Sequence, residues 1–114
     1  MSLAKQALPN KSWLVTVSGR LEQQQTPDLE RLLNELLADQ HYRIVIDLSE
    51  VTYINSGGLR CLVTAWRHAK QQGGNVVLCC MTPRVKEVFS MVGFDKVFQI
   101  YPSVADAAQA WSTS

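Results

Sequence analysis

Asn55-Ser56-Gly57-Gly58-Leu59 is the stretch of this chain whose residue types and spacing could do chemistry. A serine stands at the predicted start of a helix, after a buried strand and a short polar turn, Ser49–Asn55. Two glycines follow it and strip bulk from the backbone around its hydroxyl. The free N–H groups and the positive dipole end of a helix start favour an anion there. Ser56 or Asn55 can serve as a plain N-cap, worth about 1 kcal/mol. Ser56 can equally accept a phosphate, which adds about −1.5 to −2 charges at neutral pH. Spacing alone favours the cap.

Arg60 follows one turn later, and Thr64 and Arg67 continue along that side, opposite the Leu59, Leu62 and Trp66 stripe. Arg60 is a candidate to pair with a phosphate on Ser56 or with an acidic partner; Arg67 reads as a solvated cation. Glu22 and Gln23-Gln24-Gln25 follow a strand through Val17–Gly19. If that strand runs parallel to Arg43–Leu48, this loop and the Ser56 turn share one end of the sheet, where α/β folds place their sites. Met91 and Phe94 beside Gly93 read as core or helix-cap packing, with an apolar contact patch as the alternative.

Other chemistry finds no support. His41 and His68 lack metal spacing, and no G-x-x-x-x-G-K-[ST] loop is present. Ile54 occupies the first glycine position of G-x-S-x-G, so Ser56 is not on a nucleophile elbow. Cys61, Cys79 and Cys80 have no metal-ligand spacing and read as reduced, mostly buried thiols. Cys79 and Cys80 are adjacent on a strand and are expected on opposite faces. The expectation is a binding protein without catalysis, cofactor or metal.

The elements that position these residues are legible in order. Pro9-Asn10-Lys11 suggests a hairpin turn between Ala4–Leu8 and a strand over Trp13–Ser18 that ends at Gly19. Thr26-Pro27-Asp28 opens a helix with Leu29, Leu32, Leu33, Leu36 and Leu37 on one face. Arg43–Leu48 is a nearly continuous apolar strand of the kind covered on both faces. Leu59, Leu62, Val63, Trp66 and Ala69 mark a second helix, and Asn75–Cys80 a further strand. Thr82-Pro83 opens a third helix with Val85, Val88, Phe89 and Val92 facing inward, closed by Gly93. Val97–Ile100 reads as a short strand. Ser103 caps a last helix, with Asp106 at the capping-box position and Val104, Ala107, Ala108 and Trp111 inward. Alternation of this kind implies a largely parallel sheet with helices packed on it.

Residues 1–114 fit one domain with a single core. Met1-Ser2-Leu3 is given no function. Hydrophobic residues make up 46% of the chain and the net charge is +1, a soluble globular balance. That charge gives no electrostatic grip on nucleic acid or anionic lipid. Apolar runs are strand-length, short of the ~20 residues of a membrane span, and the first residues do not resemble a secretory signal. A cytoplasmic protein is expected.

Four segments in order resemble the STAS domain, the fold of bacterial anti-sigma-factor antagonists, over Trp13 to Trp111. Val17-Ser18-Gly19-Arg20-Leu21-Glu22 resembles a strand followed by G-x-L-D, with Glu22 replacing Asp. Val45 to Ile54 resembles a strand and turn of the form DLS-x-V-x-x-I. Asn55-Ser56-Gly57-Gly58-Leu59 resembles D-S-S/A-G-L, and Val92 to Phe98 resembles T-G-L-D-x-V-F. The resemblance implies a mixed α/β fold: a largely parallel four- to five-stranded sheet with an N-terminal hairpin and about four helices. It implies that Ser56 accepts phosphate from an anti-sigma factor with a kinase-type ATP-binding fold. The unphosphorylated protein would bind that partner and free a sigma factor, and a PP2C-type phosphatase would reset the switch. Glu22, Asn55, Gly57, Gly58, Leu59 and Arg60 would shape the docking surface. Asn55 replaces the usual Asp and removes a charge beside the hydroxyl; Gly57 removes a second acceptor. The alternative implied is a stand-alone STAS subunit of an ABC-type lipid-trafficking complex, bound to an ATPase subunit without phosphorylation.

Overall fold

A hairpin opens the chain. Strands β1 (Ser2–Leu8) and β2 (Ser12–Leu21) pair antiparallel. Asn10 and Lys11 turn the corner with positive φ, 63° and 60°, the twist that a tight hairpin requires. The computed structural model describes residues 2–22, 24 and 26–111, so Gln23 and Gln25 of the predicted loop lie outside the described residues. Helix α1 (Thr26–Ala38) leads to β3 (Arg43–Ile54), α2 (Ser56–Gln71) to β4 (Asn75–Cys79), and α3 (Pro83–Met91) to β5 (Ile100–Tyr101). Helix α4 (Val104–Ala108) continues into a 3-10 turn, Gln109–Trp111.

The sheet order is β1-β2-β3-β4-β5, parallel from β2 onward. Each crossover steps to the next strand in the same direction, so right-handed connections put α1, α2 and α3 on one face. Their apolar stripes meet Val15, Val17, Ile44, Ile46, Leu48, Val76 and Leu78. On the opposite face Val45, Val77 and Cys79 are covered by Ala107 and Trp111. Strand β3 is thus buried from both sides, as its unbroken apolar run demands.

Four expectations are corrected. Ser49–Asn55 is not a turn: β3 continues to Ile54, and β2 continues beyond Gly19 to pair with it. Two register shifts in the β2–β3 ladder, at Thr16/Ser18 and at Gly19/Arg20, each take up one extra residue of β3, and Gly19 has φ +95° there. Val97–Ile100 is not a strand. Gly93 turns the chain with φ +78° into a 3-10 turn, Phe94–Lys96, and strand pairing is confined to Ile100 and Tyr101. Phe98 is buried, but against the rings of Trp66 and Phe89, at 5.9 and 6.0 Å between centroids. Val92 and Met91 do not face inward, being 51% and 79% exposed, because α3 ends at Met91 and leaves both on its outer side. Finally, Cys79 and Cys80 do not diverge. Strand β4 stops at Cys79, and Cys80 adopts φ +62°, which swings its sulfur back toward Cys79.

Candidate functional site

The start of α2 is built on the end of β2. Asn55 N–H donates to the Leu21 carbonyl at 3.2 Å, which sets the helix start directly against the last pair of the β2–β3 ladder. Asn55 is the N-cap, with extended backbone and a side-chain Oδ1 that accepts from Gly57 N–H at 3.0 Å and Gly58 N–H at 3.2 Å. Leu59 N–H bonds the Asn55 carbonyl at 3.0 Å. Asn55 therefore takes the capping role left open between it and Ser56. Ser56 is the first helical residue and is exposed, with its hydroxyl free of capping duty. Two of the N–H groups expected to await an anion already hold the Asn55 amide.

Gly58 is required by packing. A Cβ there would stand 2.6 Å from the Leu21 carbonyl oxygen and 2.9 Å from Leu21 Cγ. Gly58 and Leu59 are buried, Gly57 is half-buried and Arg60 is exposed. Gly58 thus fixes how α2 meets the sheet, while Ser56 and Arg60 face outward.

Glu22 does lie at this end of the sheet, because β2 runs parallel to β3 and Leu21 pairs with Ile54. Its carboxylate accepts from Arg20 Nε and Nη2 at 3.1 and 3.2 Å, and the Arg20 guanidinium lies 4.4 Å from the Tyr53 ring centroid. The hydrogen bonds that Arg20 donates to Glu22, and then the charge of Glu22, push the Arg20 pKa further up. Glu22 is thus held in an internal ion pair.

Beside Ser56 opens a cleft of about 290 Å³ lined by Ser56, Leu59, Arg60, Val63, Val92 and Phe94. Its walls are mostly carbon, and Met91 projects into solvent next to Val92. Arg60 enters it without an ion pair among the described residues. The cleft joins the start of α2 to the turn after α3, two segments far apart in the chain. Val63 and Val92 each read as inward residues of their own helices, so spacing does not reveal that they meet. The signal available was Val92-Gly93-Phe94, apolar residues on both sides of a left-handed glycine where a helix must stop.

A family model for the STAS domain matches residues 6–107. The chain belongs to the STAS domain family. This STAS domain is similar to BtrV of Bordetella bronchiseptica, named as a candidate anti-sigma factor antagonist, with 39% identity over 72 residues. That match spans 63% of this chain and 62% of BtrV, a little under two-thirds of the relative's length. In three dimensions it is similar to an anti-sigma factor antagonist from Mycobacterium paratuberculosis: 28% identity, TM-score 0.84, covering 97% of this chain and 95% of the other. SpoIIAA of Bacillus, solved unphosphorylated and phosphorylated, has TM-scores of 0.75 and 0.76 at 12% identity. Those matches cover 96% of this chain and 96% and 98% of the two SpoIIAA chains, a likeness of fold. Among the described residues, no helix of this STAS domain is long and apolar enough to cross a membrane.

Proposed function

We propose that this STAS domain is an anti-sigma factor antagonist whose docking is controlled by phosphate on Ser56. The observation that carries the reading is the division of labour at the start of α2. Asn55 caps the helix, so the Ser56 hydroxyl is exposed and, among the described residues, unengaged at the rim of an apolar cleft. The names of the relatives point the same way. The sheet order has no reversal, hence none of the crevice that a topological switch point offers to a nucleotide or small substrate. A surface site for a protein, without catalysis, is the reading this supports.

The switch follows from burial. In the unphosphorylated form the partner covers Leu59, Val63, Val92 and Phe94, and Arg60 meets an acidic group on it. Asn55, Gly57 and Gly58 hold the contour of that surface, with Glu22 at its edge. A dianion on Ser56 would have to be desolvated by any partner closing over the cleft, and a buried unpaired charge costs several kcal/mol. Arg60, one turn further along the helix, would instead pair with the phosphate and be withdrawn from the partner. The fold survives because an anion at a helix start is tolerated. The partner is an anti-sigma factor with a kinase-type ATP-binding fold that phosphorylates Ser56 in the cytoplasm, and a PP2C-type phosphatase reverses the step.

The test is a pull-down from the native host with wild-type, Ser56→Ala and Ser56→Glu baits, partners being identified by mass spectrometry. A kinase-like anti-sigma factor held by wild type and Ser56→Ala but lost with Ser56→Glu is expected. Equal capture of one partner, such as a transporter ATPase, by all three baits would overturn the switch.

A further inference from the structure

On the face of the sheet that carries α4, a second group of chemically capable side chains converges. Asp47 and Cys79 are direct partners in the β3–β4 ladder, so their side chains project from the same face. Cys80 joins them because of its left-handed backbone, an uncommon conformation for a residue with a Cβ and one that clusters at functional positions. One ligand atom from each of Asp47, Cys79 and Cys80 lies within 4.8 Å of the other two. The Cys79 sulfur, the Asp47 carboxylate and the Val104 backbone all lie close enough to the Cys80 thiol to perturb it. Asp47 is itself oriented, because its Oδ1 accepts from Ser49 N–H at 2.9 Å. Asp47 and Cys80 are half-buried, and Cys80 opens onto a cavity of about 310 Å³ lined also by Met81, Lys86, Ile100, Tyr101 and Pro102. Ions therefore have a way in.

We infer that Asp47, Cys79 and Cys80 form a binding site for one thiophilic divalent cation of the zinc class. Two sulfurs and one carboxylate oxygen are a soft-to-borderline donor set that Zn²⁺ prefers, and three protein ligands leave a fourth tetrahedral position facing the cavity. Closing on an ion needs only a modest contraction, since Zn–S and Zn–O bonds of about 2.3 and 2.0 Å place ligand atoms about 3.5 Å apart. Binding replaces two S–H bonds with two S–metal bonds and releases two protons to solvent. Two thiolates and a carboxylate then leave the occupied site with a net charge of −1, beside Lys86. Burial holds the free thiols protonated, pushing both Cys79 and Cys80 up from the ordinary thiol range, so proton release is part of the binding equilibrium. Cys61 serves as an internal control: it is buried on the other face, among the α1–α2 packing, and its thiol is pushed up to about 12, first by burial.

The experiment titrates the reduced, full-length protein anaerobically with Co²⁺, followed by competition with Zn²⁺. Thiolate-to-cobalt charge-transfer absorption and native mass spectrometry are the readouts. One ion per chain is expected, with the charge-transfer band lost in Cys79→Ala and in Cys80→Ala. Asp47→Asn should weaken affinity at least about tenfold, the lower end of what even outer-shell partners cost. Cys61→Ala should bind like wild type. Since Cys79 is wholly buried and its variant can fail to fold, Cys80→Ala and Cys80→Ser, checked by circular dichroism, carry the decision. Absence of the band in folded wild type, or a band that survives Cys80→Ala, would overturn the site and leave these thiols as packing groups.

Discussion

Helices α2, α3 and α4 each have a small polar residue as N-cap, and their hydroxyls are used differently. At α3 the hydroxyl residue is itself the cap: Thr82 Oγ1 accepts from Val85 N–H at 3.3 Å, with Pro83 at the first helical position. At α4 Ser103 Oγ accepts from Asp106 N–H at 3.1 Å. At α2 the cap is an amide, Asn55, and the hydroxyl stands one residue further on, exposed and unengaged among the described residues. A capping hydroxyl is committed to the backbone, and phosphate on it would cost the helix its cap. A hydroxyl displaced by one position can be modified while the fold keeps its hydrogen bonds. Availability, rather than the mere presence of a serine at a helix start, separates the candidate switch from two structural caps.

The largest expected effect tests the seat of α2. Gly58→Ala drives a methyl group into the Leu21 carbonyl, where something must shift. The usual gain from Ala over Gly in a helix, up to about 1 kcal/mol, is outweighed by overpacking of about 1–3 kcal/mol. A net loss of about 1–2 kcal/mol is expected in urea unfolding. A neutral result would mean that α2 can slide along the sheet, and that the position of Ser56 is less firmly set than the hydrogen bonds indicate.

Two caps and the uncommitted serine can then be compared directly. Asn55→Ala and Thr82→Ala should each cost about 1 kcal/mol, the ordinary worth of a cap. Ser56→Ala should stay within about 0.5 kcal/mol, as for a surface residue without structural duty. A Ser56→Ala loss equal to that of Thr82→Ala would erase the distinction between the sites. A sharper contrast concerns the cleft. Met91→Ser and Val92→Ser should leave stability within about 0.5 kcal/mol, since both side chains are largely in solvent. Together they should weaken affinity for the proposed anti-sigma partner by about 1 kcal/mol or more, read by calorimetry. Unchanged affinity would move the docking surface away from the turn after α3.

What the chain discloses without its structure follows from how local each signal is. The leucine stripe of α1 and the caps Thr82 and Ser103 are readable because helix periodicity and capping involve residues three or four apart. The end of β3 is not readable: Asp-Leu-Ser-Glu is turn chemistry, yet bulges that take up extra residues of β3 let the ladder run on to Ile54. Ser56 and Arg60 sit on one helix and were legible as a pair. Their apolar neighbours Val92 and Phe94 arrive from another crossover and were not. Strand alternation likewise separates Cys79 from Cys80, and only the left-handed backbone of Cys80, a tertiary outcome, reunites them with Asp47.

The smallest effect concerns Asn55, which with Gly57 is where this start of helix departs from the family pattern. Asn55→Asp would keep an oxygen in place for Gly57 and Gly58 N–H and add a negative charge at the positive end of α2. A gain of about 0.3–1 kcal/mol in the unphosphorylated protein is expected. With phosphate on Ser56 the sign of the neighbouring term reverses. A carboxylate roughly 6 Å from a charge of about −1.5 to −2 is repelled by about 1 kcal/mol in water before salt screening. The variant's advantage should therefore shrink to nearly zero once Ser56 carries phosphate. By linkage, the natural Asn55 eases phosphorylation by the same amount that it forgoes in unphosphorylated stability. Thermal unfolding of both proteins with and without phosphoserine at position 56 measures all four corners of that cycle. An equal gain in both forms would show that the phosphate does not feel residue 55, and that the neutral amide is there for its hydrogen bonds alone.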